Sequence, residues 1–333
     1  MGLFNKFTDT VFLKENSDLQ ARYDALSKLL NEYPNNEAIQ EEFYCVKKGL
    51  EGEKEIHYQL EKANIGMYVL HDINIEYEGL TAQIDYVVFT RLCCYFIESK
   101  NLVGNITVDE KGDFIREYIF NGKKIKKGMY SPLRQVEAQR DVYKKIWNTR
   151  LSSNALINSI KRILAESNFE LYHRVLVVAA NNETILNTRY APNDIKYKVI
   201  RADSLVREIK YDLESADKQM LSSAKETEKW AGAFLSLNVV KNIDYYEYYK
   251  SKYNLIDSVS NNNLRELLIE FRKKRSAEMN IPAYYVFTNE ELDKLVEIMP
   301  KTIEGLESIN ILSPIKIKTH GKEIIDIINK VIK

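Results

Sequence analysis

Glu98 and Lys100 stand two residues apart in the run Phe96-Ile97-Glu98-Ser99-Lys100-Asn101, and Asp85 closes an earlier run, Gln83-Ile84-Asp85. Successive side chains of a strand point to opposite faces, so Phe96, Glu98 and Lys100 share one face and Ile97 and Ser99 the other. A hairpin of 82–90 with 93–100 about Arg91-Leu92 puts Asp85 opposite Glu98. Arg91-Leu92 lacks the Gly or Asn of a primed turn, and a four-residue loop, 90–93, keeps the same register. Opposed carboxylates repel, at a cost of roughly 0.2–1 kcal/mol, and a divalent cation removes that cost. Hard oxygen donors suit Mg²⁺ or Mn²⁺ better than Zn²⁺, with water and substrate phosphate completing the shell. The Lys100 ammonium could then hold or help deprotonate a water while the metal stabilises charge on phosphate, which is hydrolysis of a phosphodiester. The competing reading is that the three residues decorate a solvated sheet edge. Spacing alone favours the edge, because a strand-borne D…ExK pattern is short.

The elements that must position these residues are legible as patterns. Leu19, Tyr23, Leu26, Leu29 and Leu30 recur at helical spacing; Pro34-Asn35-Asn36 interrupts, and Phe43, Leu50, Ile56 and Leu60 resume the pattern. This predicts helices over 17–63. The runs 67–76, 82–90 and 93–100, with weaker ones near 105–109 and 113–120, read as an antiparallel meander. Ser131 caps and Pro132 opens a long helix through Val136, Val142, Tyr143 and Trp147, followed by strands at 173–180 and near 197–201. The order defines a mixed α/β, or α+β, layer. Residues 203–238 read as helical and 239–262 as Tyr-rich and then polar. Ser260-Asn261-Asn262-Asn263 reads as a boundary with a helix cap, opening a helical unit. The expected organisation is a lead-in (1–48), a sheet domain (49–202), a helical connector (203–262) and a helical domain (263–333).

From Gly49 to about Val178 the sequence resembles the NERD domain (nuclease-related domain), a branch of the PD-(D/E)XK nucleases. The resemblance rests on four ordered motifs: Gly49-Leu50-Glu51-Gly52-Glu53 at the start of a helix, Gln83-Ile84-Asp85, Ile97-Glu98-Ser99-Lys100-Asn101 with Gly104, and Ser131-Pro132-Leu133-Arg134-Gln135. It implies a restriction-endonuclease-like core, an antiparallel meander flanked by helices. It also implies Asp85 and Glu98 as ligands of Mg²⁺ or Mn²⁺, Lys100 as the water-orienting residue, Glu53 as an accessory acid and Gln135 as the helix-borne Gln. The loop before Cys93 lacks the family's common Gly, and Ser131-Pro132 replaces its Asn-Pro; neither change removes a catalytic group. The plainer reading of Glu53 is a solvent-facing first-turn acid favoured by the helix dipole, and of Gln135 a polar surface residue.

From Leu264 to Ile332 the sequence resembles the HRDC domain, the helical module at the end of RecQ-type helicases and ribonuclease D relatives. The matching text runs from LRELLIEFRKKRSAEMNIPAYYVFTNEELDKLVEIMPKTIEGLESI to THGKEIIDII. The resemblance implies contact with single-stranded DNA or with a protein such as a helicase. Candidates are Arg272, Lys273, Arg275, Lys316, Lys318 and Lys322, with Tyr284 or Tyr285 available for stacking. Solvated charge is the plainer reading. Ile309-Asn310-Ile311-Leu312 replaces the Gly-rich turn common in relatives, which weakens the case for backbone-mediated contact. Six acids against two lysines in 281–308 place any nucleic-acid face elsewhere.

Whole-chain composition narrows the rest. A length of 333 residues favours two domains. Lys and Arg (48) balance Asp and Glu (48), so a polyanion signal must be local. Residues 111–128 supply one, and Lys123, Lys124, Lys126 and Lys127 are its nucleic-acid candidates. Three cysteines without paired spacing, no long apolar run and no export pattern in MGLFNKFTDT predict a cytoplasmic protein with no membrane partner. The four histidines lack zinc spacing, and no phosphate-binding loop is present. The expected function is metal-dependent hydrolysis of DNA, single- or double-stranded, in repair, plasmid maintenance or defence against foreign DNA. The alternative is a non-catalytic DNA-binding or scaffold protein that recruits a helicase; carboxylates beside phosphate argue against it. Homo-oligomerisation through 1–48 or 203–260 stays open.

Overall fold

Met67–Tyr77 (β2), Leu80–Phe89 (β3) and Cys94–Lys100 (β4) are rich in β-branched and aromatic residues and pair antiparallel in chain order. The β3–β4 ladder runs from Phe89↔Cys94 to Tyr86↔Ile97, the register anticipated above. Thr90 N donates to Cys93 O at 2.9 Å and closes the four-residue loop. The computed structural model describes residues 7–153, 167–253, 255 and 258–332. The chain divides into two units, Met1–Tyr246 and Glu247–Lys333.

In the first unit the meander does not continue past β4. Its other edge is taken in parallel by His173–Ala179 (β8), which pairs in parallel with Val199–Arg201 (β10), while Thr10–Lys14 (β1) lies parallel to β2. The six-stranded order is β1-β2-β3-β4-β8-β10. Asn105–Val108 (β5), Phe114–Phe120 (β6), Lys123–Met129 (β7) and Leu186–Asn187 (β9) form a second sheet in the order β7-β6-β5-β9. Three strands correct the sequence reading, β1, β7 and the two-residue β9. β1 falls in the stretch taken as a helical lead-in. β7, KKIKKGM, has too few apolar residues to read as a strand; Asn121 and Gly122, at φ 48° and 73°, turn it back onto β6 as a primed two-residue hairpin does.

Asp18–Glu32 (α1) and Glu37–Glu61 (α2) are capped by Ser17 and Asn36, whose side chains accept from Leu19 N and Ile39 N. Ile56 and Leu60 of α2, with Leu205 and Ile209 of Ala202–Ser215 (α4), cover one sheet face through Val69, Tyr86, Val88 and Ile97. Pro132–Ser153 (α3), whose Arg134 N bonds to Ser131 Oγ at 3.2 Å, and Ala224–Leu235 (α5) cover the other. There Phe96 is fully buried against Tyr143 and Phe234, a burial worth about 1.5–3 kcal/mol. The site strand β4 is therefore the middle of a helix–sheet–helix sandwich.

The second unit is helical: Ser258–Glu278 (α6), Asn289–Ile298 (α7), Ile303–Ser308 (α8) and Pro314–Ile332 (α9). They enclose Leu264, Leu268, Phe287, Leu295, Leu306 and Ile324. Thr288 and Glu291 form a capping box, and Thr302 caps α8. α6 is already running at Ser258, so Asn261, Asn262 and Asn263 lie inside it and do not cap it.

Candidate active site

The two-residue alternation of β2 and β3 breaks at a position the two strands share. Met67 and Val69 face α2, yet Ile73 and Ile75, of the same parity, face α3; Val88 and Tyr86 face α2, yet Ile84 and Ala82 face α3. The change falls at Asp72 and Asp85, which occupy the register position between His71↔Tyr86 and Ile73↔Ile84 and form no ladder pair. Asp72 adopts φ 54° and accepts hydrogen bonds from Gln83 Nε2 (2.8 Å) and Asp18 N (2.7 Å). Asp85 turns to the neighbouring strand, where its Oδ2 accepts from Ser99 N at 2.7 Å.

Beside it, Glu98 is buried, at 2% exposure. One oxygen accepts from Lys100 Nζ, and the other accepts from Gln139 Nε2 at 3.0 Å. Lys100 Nζ also donates to Gln135 Oε1 at 3.2 Å. Gln135 and Gln139, one turn apart on α3, thus grip the ammonium and the carboxylate respectively. Burial, and then the Glu98 carboxylate, hold the Asp85 carboxyl well above the usual carboxylate range; the Ser99 N–H and Lys100 only partly oppose this. Gln139 is the residue that the sequence reading missed. Its signal was the i, i+4 spacing from Gln135.

The donor set can be tested against a cation. Among the described residues no three His, Cys, Asp or Glu side chains converge as a metal site. Asp85 and Glu98 could offer a carboxylate pair, with oxygen donors only. Such a pair fits Mg²⁺ or Mn²⁺, which keep several waters and recruit substrate phosphate, and does not fit a closed zinc site.

Glu53 is placed differently from the expectation. α2 begins at Glu37, so Glu53 lies deep in the helix and is not a first-turn acid near its dipole. It is buried, at 7% exposure, where Ser17 Oγ donates to its Oε2 at 2.8 Å and His71 Nε2 lies 3.0 Å from the same oxygen. These groups line a cleft of about 570 Å³ on the α1–α2 side, with His57, Lys54 and Tyr86. Glu53 makes no hydrogen bond to Asp85, Glu98 or Lys100. The glycine before it explains the motif: a Cβ on Gly52 would stand 2.7 Å from Asn101 Cβ and 3.3 Å from Ala180 Cβ. Only a bare backbone lets α2 lie against the end of β4, where Asn101 Nδ2 donates to Lys48 O at 2.6 Å.

The basic candidates separate into free and engaged. On β7, Lys124 and Lys126 reach Glu117 at 2.8 and 3.1 Å, while Lys127 stands 5.6 Å from the Tyr118 ring and Lys123 is exposed. In the helical unit three residues expected to face a ligand are instead tied to neighbours. Arg272 donates to Phe287 O (3.2 Å) and Asn289 Oδ1 (2.9 Å), Arg275 pairs with Glu278 and Glu323, and Lys316 pairs with Glu291 at 2.7 Å. Arg275–Glu278 is an i, i+3 pair on one helix, and the other partners are brought up from neighbouring elements by the packing of the unit. Lys273, Lys318 and Lys322 are exposed, and Tyr285 is exposed with its ring 4.8 Å from that of Tyr284.

Residues 48–178 match the family model of the nuclease-related domain, NERD, and residues 261–328 match that of the HRDC domain. No curated protein and no solved structure matches the chain. Among the described residues no helix is long and apolar enough to cross a membrane.

Proposed function

For a chain that carries a nuclease-related domain followed by an HRDC domain, we propose metal-dependent hydrolysis of DNA phosphodiesters, a PD-(D/E)XK-type deoxyribonuclease centred on Asp85, Glu98 and Lys100. The observation that carries this reading is the bridging of Lys100 Nζ between Glu98 and Gln135, beside a second carboxylate whose proton affinity is raised by burial and by Glu98.

Asp85 and Glu98 would hold Mg²⁺ or Mn²⁺, which when bound supplies charge for a phosphoryl oxygen and lowers the pKa of water. Ser99 N fixes the direction of Asp85, and Gln139 fixes that of Glu98. Lys100, steadied by Gln135, orients the attacking water with its N–H groups and balances charge building on the phosphate. The HRDC domain would add a DNA contact through Lys273, Lys318, Lys322 and Tyr285, and could also engage a helicase. Free Cys45, Cys93 and Cys94 suit a reducing cytoplasm. Repair, plasmid maintenance and defence against foreign DNA each supply such a substrate; the link is fold-level analogy.

The test is cleavage of circular and linear, single- and double-stranded DNA in Mg²⁺, Mn²⁺ or EDTA, with Asp85→Ala, Glu98→Ala and Lys100→Ala beside the wild type. The expected result is metal-dependent product, reduced at least ~100-fold in each variant. Full cleavage by all three folded variants overturns the assignment, and binding without cleavage under every condition points to the scaffold reading.

A further inference from the structure

The β6–β7 hairpin carries features that the catalytic strand does not need. Arg116, Lys123 and Lys127 lie on one face of this two-stranded ribbon and Lys124 and Lys126 on the other, by the register Arg116↔Lys127, Glu117↔Lys126, Ile119↔Lys124 and Phe120↔Lys123. Glu117 is the one acid among these residues, and the two ammoniums of Lys124 and Lys126 hold its carboxyl below the usual range. At the tip, ahead of the Asn121-Gly122 turn, Ile119 and Phe120 are 74% and 60% exposed. Neighbours on a strand, they leave the tip apolar on both faces.

The root of the hairpin rests on the segment that leaves Lys100. Arg116 Nε donates to Val103 O at 2.8 Å, and Tyr118 Cβ lies 2.7 Å from where a Cβ of Gly104 would stand. Arg116 also stacks 4.5 Å from the Tyr118 ring. The hairpin therefore rests, through Arg116 and Tyr118, on Val103 and Gly104, the chain that directly follows Lys100.

We propose that this hairpin is an arm that enters the major groove of duplex DNA end-on, its two basic faces against the two flanking backbones and Ile119 and Phe120 against base edges. The proposal rests on the nucleic-acid reading above and adds the substrate class and the mode of grip. A single strand offers one backbone, which one basic face would serve; a ribbon basic on both faces matches a groove with two phosphate walls. The B-form major groove is about 12 Å wide and admits a two-stranded ribbon, whereas the A-form groove of duplex RNA is too narrow for side chains to read. Apolar side chains at the groove floor meet thymine methyl groups.

The test is fluorescence anisotropy of the full chain with labelled duplex DNA, single-stranded DNA and duplex RNA in EDTA, across a salt series. EDTA removes cleavage, so failure of the nuclease assignment leaves this measurement intact, and failure of the arm leaves the cleavage test intact. Lys123→Ala/Lys127→Ala is expected to lower the slope of log affinity on log salt by about 1.8 on duplex DNA, and Lys124→Ala/Lys126→Ala to lower it by a smaller amount, because Glu117 already offsets part of their charge. Glu117→Gln, which frees two lysines, is expected to tighten duplex binding. Replacing thymine by uracil is expected to weaken the wild type several-fold and to leave Ile119→Ser/Phe120→Ser unaffected. A slope unchanged by either lysine pair overturns the two-walled grip. Equal losses on single-stranded DNA or duplex RNA overturn the groove, and indifference of the wild type to uracil overturns the tip contact. The lysines, Ile119 and Phe120 are exposed and Glu117 is half-buried, and matched thermal unfolding of the variants verifies that the fold is kept.

Discussion

Asp72 and Asp85 share one register position of the β2–β3 ladder without pairing, although the pairs on either side are intact. Both strands change face there, so the apolar residues before and after it stay buried, on opposite sides of the sheet. Asp85 is released from its own ladder and bonds Ser99 N on β4. A local fault shared by two strands thus delivers a carboxylate beside Glu98.

In metal-free protein Asp85→Asn should raise the melting temperature at pH 7. Burial and Glu98 raise the folded-state pKa of Asp85, so the folded chain binds this proton more tightly than the unfolded one. The group therefore subtracts stability as pH rises above its unfolded value near 4, and the advantage of the variant should fade as pH falls back to that value. Thermal unfolding in EDTA between pH 4 and 8 reads this. A variant no more stable than wild type at pH 7 would mean that Lys100 already neutralises the pair.

Gln139→Ala should raise the Mg²⁺ concentration needed for half-maximal cleavage about tenfold or more, because Glu98 loses the bond that sets one oxygen. Gln135→Ala should instead lower the rate at saturating metal, since Gln135 holds Lys100 and touches neither carboxylate. Metal titrations of both variants distinguish the roles, and identical profiles would refute the division.

Gly52→Ala and Gly49→Ala are both helical and both gain about 1 kcal/mol of helix propensity. Only Gly52→Ala drives a methyl into Asn101 and Ala180; at Gly49 the nearest atom is the end of the flexible Leu19 side chain, at 3.1 Å. Overpacking costs about 1–3 kcal/mol, so Gly52→Ala should melt below wild type and Gly49→Ala at or above it. Equal melting temperatures would show that α2 can move off β4 freely.

His173 gives an acid limb of stability. Its ring stacks 4.0 Å from Phe169, Nδ1 donates to Phe169 O at 2.7 Å, and burial pushes its pKa down to about 4. The folded value lies below the unfolded one near 6.5, so the neutral ring contributes stability that is fully present above 6.5 and lost as pH falls towards 4. The loss is on the order of 3 kcal/mol. His173→Phe should flatten the unfolding free energy between these limits, as chemical denaturation at several pH values would show.

How much of this could be read beforehand follows from which interactions are local. The β3–β4 register was legible because apolar alternation and a short loop leave one pairing that buries both strands. The Ser131-Pro132 helix start was legible because a cap is a contact between near neighbours. The parallel neighbours of β4 and β2 were not, since β8 and β1 pair across long stretches of chain that no short-range pattern encodes. The course of α2 through Gly49 and Gly52 was legible, because Phe43, Leu50, Ile56 and Leu60 keep helical spacing across them, but the strand end that Gly52 accommodates was not, since Asn101 and Ala180 lie far away in the chain. Within the site, Asp85, Glu98, Lys100 and Gln135 stood out by motif. Gln139 did not, because it lies outside the motif and its i, i+4 spacing from Gln135 is shared by any two polar residues on one helix face until Glu98 is seen to meet it.

β4 is bonded along both edges over Cys94–Ile97, to β3 and to β8, and its ladder with β8 continues through Glu98 and Lys100, opposite Val177 and Ala179, while Ser99 N bonds Asp85 of β3. The chemical groups consequently ride on backbone that cannot loosen without tearing the middle of the sheet, while β7, with a single bonded neighbour, forms the outer rim of its own. Heat or denaturant would then strip the molecule of its hold on a substrate before it disturbs the spacing of the reacting groups. A lineage could likewise rewrite the rim, and with it the choice of target, while the centre stays as it is.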